Sequence, residues 1–227
     1  MNIGNSFFTY LHMTFFDFHT HHSLLKRSIH NLAEQEDPKP DSYFSVGIHP
    51  WNLNEEWEKE FVRVKEFSSL SNCLAIGESG FDRLWGPDLD LQRKVFYEHA
   101  KLAYELQIPL ILHLVKGHDL LLEYLKSEVR VPQIIWHGFN LKSHMAEQVL
   151  DFPISFSFGK AILKSDSNAS HWLKKCPIDR VFFETDDSQL SIDSIYKSAS
   201  VILQLSEEEL TLQVRNNWNK ISSRKIE

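Results

Sequence analysis

Five short segments carry side chains able to bind a divalent cation, and each closes an apolar run. The first is Asp17-Phe-His19-Thr-His21; residues two apart share one face of an extended chain, so His19 and His21 project together while His22 points elsewhere. The second, Ala75-Ile-Gly-Glu78-Ser-Gly-Phe-Asp82, brings a carboxylate out of an apolar strand beside glycines. The third and fourth are Pro109-Leu-Ile-Leu-His113 and Ile134-Ile-Trp-His137-Gly, and the fifth is Val181-Phe-Phe-Glu-Thr-Asp186-Asp. Singly, each has an ordinary explanation. An HxH triplet arises by chance, a histidine ending a strand is commonly a hydrogen-bonded core residue, and Glu78 or Asp186 could cap a helix. Jointly, four histidines and two carboxylates at strand ends point to a metal site.

Imidazole and carboxylate together suit zinc, manganese, iron or nickel; magnesium prefers oxygen alone and accepts a mixed site weakly. Six ligands exceed the needs of one hydrolytic metal, since a catalytic zinc takes about three protein ligands and keeps a position open. Two ions sharing one carboxylate would use all six. Held ~3.5–4 Å apart, such a pair lowers the pKa of the water between them and clamps the attacking and leaving oxygens of a phosphoryl displacement. The expected cofactors are therefore two divalent ions, zinc, manganese or magnesium. Cys73 and Cys176 lack ligand spacing, and no nucleophile elbow, phosphate loop or dinucleotide fingerprint occurs.

Ligands drawn from distant segments meet only if the fold carries their strand ends to one place. Short apolar runs predict strands at Thr14–Phe18, Arg27–Asn31, Tyr43–Gly47, Cys73–Gly77, Leu110–His113, Gln133–Trp136, Ile154–Ser157 and Arg180–Glu184. Leu91, Val95, Leu102 and Leu106 share one face of a helix that stops before Pro109. Further helices are expected around Glu55–Phe67, Asp119–Ser127, Lys142–Leu150, Ser167–Lys174 and Ile192–Leu203. A last one runs to Lys220 from Ser206, where Ser206-Glu-Glu-Glu209 reads as a capping box. This alternation means parallel strands joined by right-handed crossovers. Eight of them predict an α/β fold, a slightly trimmed (β/α)8 TIM-like barrel with its site at the strand C-termini. The stretch Ser23–Ser42 is too short and too polar for two helices, so the first two crossovers are expected to be loops. One domain is expected over residues 13–227; Met13 opens directly before a strand, which leaves residues 1–12 as an N-terminal extension.

Composition narrows the classes further. The 227 residues carry a net charge of −7, with 42% hydrophobic and 24% charged side chains, values of a soluble globular domain and not of a basic nucleic-acid coat. No run approaches the ~18 apolar residues of a membrane span, and no basic residue precedes the apolar N-terminal stretch, so neither a membrane role nor a secretory signal is expected. Two unpaired cysteines suit a reducing, cytoplasmic location. Nothing points to an obligate protein partner.

In chain order, His19-x-His21, Gly47-Ile-His-Pro50, Gly77-Glu-x-Gly-x-Asp82, Gln92-xxx-Phe96, Pro109-Leu-Ile-Leu-His113, Trp136-His-Gly-Phe139 and Glu184-Thr-Asp186 resemble the TatD family of metal-dependent deoxyribonucleases, within the amidohydrolase-like barrels. The resemblance runs from Asp17 to about Asp186. It implies that His19, His21 and Asp186 hold a first ion, that Glu78 bridges it to a second, and that His113 and His137 complete the second. Asp186 would also orient or deprotonate the attacking water. His49 would face the substrate phosphate or assist the leaving group; the alternative is that it fixes the turn before Pro50. Asp186, Glu78 and His49 are thus the catalytic candidates. Asp82 would support the substrate side of the site by hydrogen bonding.

The family pattern is broken after the fifth strand. His113-Leu-Val-Lys116-Gly stands where the family usually has a serine and an arginine directly after the histidine, so Lys116 would meet a phosphate as a point charge, without a bidentate grip. Asn140, ending His137-Gly-Phe-Asn140, is a candidate substrate contact where a serine-glycine is usual, and Asp187-Ser188 replaces a small residue and proline. The implied activity is a two-metal deoxyribonuclease or exonuclease acting on single-stranded DNA or a small phosphoester, with Trp51, Trp85 and Phe139 available either to stack on bases or to pack the loops. The alternative keeps the metals and changes the bond, to a small phosphoester, carboxylic ester, lactone or amide with no nucleic-acid role.

Overall fold

Phe18 points outward from the first strand, its ring 4.7 Å from Phe182 and 5.6 Å from Trp218 on the last helix. Side chains alternate along a strand, so its neighbours Asp17 and His19 point inward. The structure, a computed structural model, describes residues 15–22 and 27–226; the expected extension, residues 1–12, lies outside the described residues. Among the described residues there are eight strands: β1 (Asp17–Thr20), β2 (Ser28–Asn31), β3 (Tyr43–Val46), β4 (Cys73–Asp82), β5 (Leu110–Val115), β6 (Ile134–Trp136), β7 (Ile154–Phe158) and β8 (Val181–Phe183). Each pairs in parallel with the next, in the order β1 to β8. A parallel bridge between Thr20 and Asp186 joins the two ends, with the His21 N–H donating to the Asp186 carbonyl at 3.1 Å and the Asp186 N–H donating to the His19 carbonyl at 3.0 Å. The fold is the expected (β/α)8 barrel.

Seven α-helices among the described residues cover it: α1 (Trp57–Ser68), α2 (Leu89–Leu106), α3 (His118–Ser127), α4 (Ser143–Glu147), α5 (Asn168–Leu173), α6 (Ile192–Leu203) and α7 (Glu207–Ile221). Their ends follow from local chemistry. Asp88 caps α2 by accepting from the Asp90 and Leu91 N–H groups, and Ser206 with Glu209 forms the expected capping box on α7. The β2–β3 connection, residues 32–42, contains no helix, as its polar sequence predicts. None of the helices among the described residues is long and apolar enough to cross a membrane.

Two strands differ from expectation where the chemistry sits. β1 begins at Asp17, since pairing with β2 starts at Asp17–Ser28, and it therefore includes His19. β4 continues through Asp82 and stays paired with β5 up to Asp82–Val115, so Glu78 lies inside a strand. The register shifts between Ile76 and Ser79, and glycines make this possible. A Cβ on Gly77 (φ 128°) would stand 2.5 Å from the Ile111 carbonyl oxygen, and one on Gly80 (φ 156°) 1.9 Å from that of His113. Only glycine fits that approach.

Candidate metal centre

Glu78 occupies the centre. Its carboxylate is 3% exposed and meets imidazoles from both halves of the barrel. Oε1 lies 2.8 Å from His137 Nε2, 3.5 Å from His19 Nε2 and 3.8 Å from His113 Nδ1, and Oε2 lies 3.3 Å from His21 Nε2. Asp186 closes the far side, its Oδ1 3.5 Å from His21 Nε2 and 3.7 Å from His19 Nε2. All six residues expected to bind metal are therefore brought together. Their donor atoms form three compact sets: His19, His21 and Glu78; His19, His137 and Asp186; His49, Glu78 and His113. His19 and Glu78 each belong to two of these sets, and His49 stands beside His113.

A ring of supporting residues fixes these side chains. Asp82 Oδ2 accepts from His113 Nε2 (3.1 Å) and from the Trp51 indole (2.6 Å), and Oδ1 accepts from the Leu84 and Trp85 N–H groups. With Nε2–H so engaged, His113 turns Nδ1 toward Glu78. His49 Nδ1 accepts from the Trp51 N–H at 3.2 Å, which leaves its protonated Nε2 3.1 Å from His113 Nδ1. His49 thus caps the turn that begins at Pro50, where the sequence suggested the turn before it, and its Nε2 faces the cluster. Asn31, at the end of β2, donates to Glu78 Oε2 at 3.1 Å and accepts from the Glu78 N–H at 3.0 Å. Fully buried Glu184 accepts from the Gly138 N–H and lies 3.8 Å from His137 Nδ1, and Asp17 accepts from the Thr185 hydroxyl and N–H. Sequence reasoning missed Asn31, Glu184 and Asp17 as site residues. Glu184 was visible inside Glu184-Thr-Asp186, but nothing separates two acids in one triplet except which of them turns inward.

Burial and charge pull against each other here. Burial raises the Glu78 carboxyl, yet the surrounding His137 and His19 outweigh it and hold Glu78 well below the usual carboxylate range. Burial lowers His137, and Glu78 and Glu184 more than reverse this, raising it well above an ordinary histidine. Burial pushes Asp186 up, and burial brings His49 down to about 4, so His49 is neutral at pH 7. At 1% exposure both ring nitrogens of His19 lack a hydrogen-bond partner, as do buried His137 Nδ1 and Glu184 Oε2. A buried polar atom left so costs about 1–3 kcal/mol. Imidazole nitrogens facing two carboxylates are the donor set of a divalent cation, which satisfies them, so these residues fit the metal centre.

The expected substrate contacts divide. Asp82 is in the site as a support. Lys116 is exposed in a left-handed turn (φ 51°) between β5 and α3; its carbonyl accepts from Arg83 and it does not line the cavity. Asn140 is also exposed and outside the lining, because its side-chain oxygen is used by the Ala169 N–H at the start of α5. Phe139 is 1% exposed, its ring 5.0 Å from those of Trp136 and Phe156, and belongs to the core. Trp51 and Trp85 remain exposed, at 55% and 75%. A cavity of about 450 Å³ runs from the ligand cluster to a wall that includes Trp51, Glu34, Glu60 and Arg63.

This architecture has known counterparts. Over 86% of this chain and 85% of that one, it superposes on the crystal structure of YJJV, a TatD homolog from Escherichia coli K12, with a TM-score of 0.71 and 20% identity. A TatD family hydrolase from Entamoeba histolytica gives a TM-score of 0.66 at 19% identity, over 81% of this chain and 75% of that one. In sequence, the chain is 33% identical over 150 residues to a protein of Buchnera aphidicola subsp. Baizongia pistaciae described as an uncharacterized metal-dependent hydrolase, covering 65% of this chain and 56% of that protein. It is 29% identical over 147 residues to YabD of Bacillus subtilis, of the same description, covering 63% of this chain and 58% of YabD. The chain thus matches less than two thirds of the length of these relatives. The profile of the family described as TatD related DNase matches residues 12–221. With the barrel, the histidine–carboxylate cluster and that match in agreement, the chain belongs to the TatD-related family of metal-dependent hydrolases.

Proposed function

We propose that the chain hydrolyses phosphodiester bonds, at single-stranded DNA ends or in small phosphoesters, with two divalent ions held by His19, His21, Glu78, His113, His137 and Asp186. The observation that carries this reading is Glu78: buried at the centre, its carboxylate oxygens lie within 3.8 Å of ring nitrogens of His19, His21, His113 and His137, where two ions could share it. Bound there, the ions would supply Lewis acidity and bring the pKa of coordinated water toward neutrality. The chain's own residues do the rest. Asp186, partly exposed beside His21, would orient the attacking water or accept its proton; its exposure and its 3.5 Å distance to His21 support that role. Neutral His49 directs a protonated Nε2 at His113 Nδ1; with that nitrogen taken up by an ion, the same N–H could donate to a phosphoryl oxygen or a leaving group.

The cavity supports a short substrate over a long one. Arg63, its only Lys or Arg among the described lining residues, has its guanidinium turned to the backbone carbonyls of Ala33 and Glu36. Arg83 is held bidentately by Asp119, and Lys160 by Asp187 at 2.8 Å. Glu34, Glu60 and Asp187 add negative charge to the lining. Few phosphates can be neutralised on such a surface, so affinity for DNA should fall only shallowly with salt. The same scarcity of free cations favours a second reading, in which the bond is a small carboxylic ester, lactone or amide.

The test is nucleotide release from a labelled single-stranded oligonucleotide by chelated protein resupplied with zinc, manganese or magnesium, beside a Glu78→Ala control. Metal-dependent release by the unaltered protein alone supports the proposal. No release from protein shown to carry metal rejects DNA and moves the search to small esters and amides.

A further inference from the structure

Trp51 is 55% exposed although its two N–H groups are both tied down. The backbone N–H donates to His49 Nδ1 at 3.2 Å, and the indole N–H donates to Asp82 at 2.6 Å. The residue sits in a single 3-10 turn, Pro50–Asn52, whose first position is held by proline. The His49 ring meets it nearly edge-on, at 4.8 Å and 83°, and His113 at 5.9 Å and 77°. The result is a large aromatic surface that lines the cavity, is locked in orientation, and stands one histidine away from the ligand cluster. An exposed indole packed for stability alone needs neither anchor. Trp85 is more exposed but does not line the cavity.

We infer that Trp51 is the stacking wall for the planar base of a nucleotide whose phosphate lies at the metal centre, and so determines specificity for base-bearing diesters. The inference rests on the phosphodiesterase reading for its substrate. The chemistry is sequence-tolerant, since every base offers a π-face and a fixed aromatic ring receives it without ordering cost. A cavity of about 450 Å³ has the scale of a small-ligand site, not of a channel for a long strand. The anchor through Asp82 also joins the ring to His113, so loss of the ring and loss of its N–H have to be separated experimentally.

The experiment compares unaltered protein, Trp51→Phe and Trp51→Ala, each with its metal content measured. Substrates are a thymidine dinucleotide and the matching diester with an abasic sugar in place of one nucleoside. Trp51→Ala should raise KM for the dinucleotide about ten-fold more than for the abasic diester, as expected for one lost stack. Trp51→Phe, which keeps a ring and loses the N–H, should stay within about three-fold of the unaltered protein on both. Equal effects of Trp51→Ala on the two substrates would overturn the inference, and so would a Trp51→Phe that behaves like Trp51→Ala, because the residue would then act through Asp82. Calorimetric binding of thymidine monophosphate and of inorganic phosphate to the metal-loaded proteins gives a readout without turnover. If no diester is cleaved but Trp51→Ala selectively weakens thymidine monophosphate, the phosphodiesterase reading fails and the stacking wall stands. If diesters are cleaved and all three proteins bind thymidine monophosphate alike, the wall fails and the hydrolase reading stands.

Discussion

Glu78 and Asp186 are both carboxylates within reach of His19 and His21, yet their surroundings give them different work. Glu78 is buried, hydrogen-bonded by Asn31 and held ionised by histidines on every side, as a structural bridge requires. Asp186 is 30% exposed at its side chain and its pKa is pushed up by burial, which suits a group that handles a proton. Glu78→Ala should therefore lose most bound metal and, with it, activity. Asp186→Asn should keep part of the metal while turnover falls by roughly 100-fold or more, the scale of a general acid–base group. Metal analysis beside turnover separates the two; full metal content in Glu78→Ala would reject the bridge, and undiminished turnover in Asp186→Asn would reject the proton role. These two acids were legible from sequence because each ends an apolar run. Asn31 was not, since an asparagine at a strand end reads as a turn signal until its neighbours in space are known.

At the level of elements, β4 carries Glu78 and Asp82, and α2 braces the strands behind the site. Gly80 lets β4 lie against the His113 carbonyl, so Gly80→Ala should force β4 and β5 apart. An overpacking cost of at least about 2 kcal/mol is expected in denaturant unfolding, together with weaker metal binding. Unchanged stability and metal affinity would show that the close approach is dispensable. α2 reaches back to the site through fully buried His99, whose Nε2 accepts from the Ile48 N–H at 3.0 Å and whose Nδ1–H donates to the Val95 carbonyl. The bond accepted at Nε2 demands the neutral ring, and burial, working against the Val95 bond, brings the pKa down to about 4. Between pH 6.5 and 4 the unfolded chain takes up a proton that the folded protein refuses, so stability is present above that range and lost as pH falls through it. The loss approaches about 3 kcal/mol at pH 4, and His99→Gln should flatten this part of the profile, measured by urea unfolding at several pH values. A profile of equal slope in both proteins would assign the acid sensitivity elsewhere. The strands were readable because the apolar runs are short, rich in β-branched and aromatic residues, and bounded by turn residues. The run-on of β4 was not, since Gly77 and Gly80 signal a break in sequence and act instead as points of contact.

For the whole molecule, eight parallel strands and the helices between them followed from alternation alone, because burying both faces of a parallel sheet leaves few arrangements. What alternation could not supply is which loops turn toward the cavity. Lys116 and Asn140 occupy the expected positions in the sequence but spend their geometry on a turn and a helix start. The cavity left between the loops is acidic, consistent with the net charge of −7. Trp218 fastens α7 to the barrel, fully buried and with its indole donating to the Arg224 carbonyl at 2.8 Å. Trp218→Ala should cost about 3–5 kcal/mol of stability with little change in metal stoichiometry. A loss of metal at unchanged stability would mean that α7 acts on the site and not on the shell.

The barrel is closed at one seam, and the seam is made of the site. The two hydrogen bonds that join the end of β1 to the turn after β8 run between the backbones of His19, His21 and Asp186, whose side chains reach toward Glu78. A cation gripped by those side chains would therefore also staple the first strand to the last, beside the bonds that Asp17 and Thr20 make to Thr185. Amide hydrogen exchange can see this directly. Treatment with a chelator should speed exchange at the His21 and Asp186 amides by about ten-fold or more while β5 and β6 keep their protection. Uniform acceleration throughout the barrel, or none at the seam, would show that closing the ring and holding the metal are separate events.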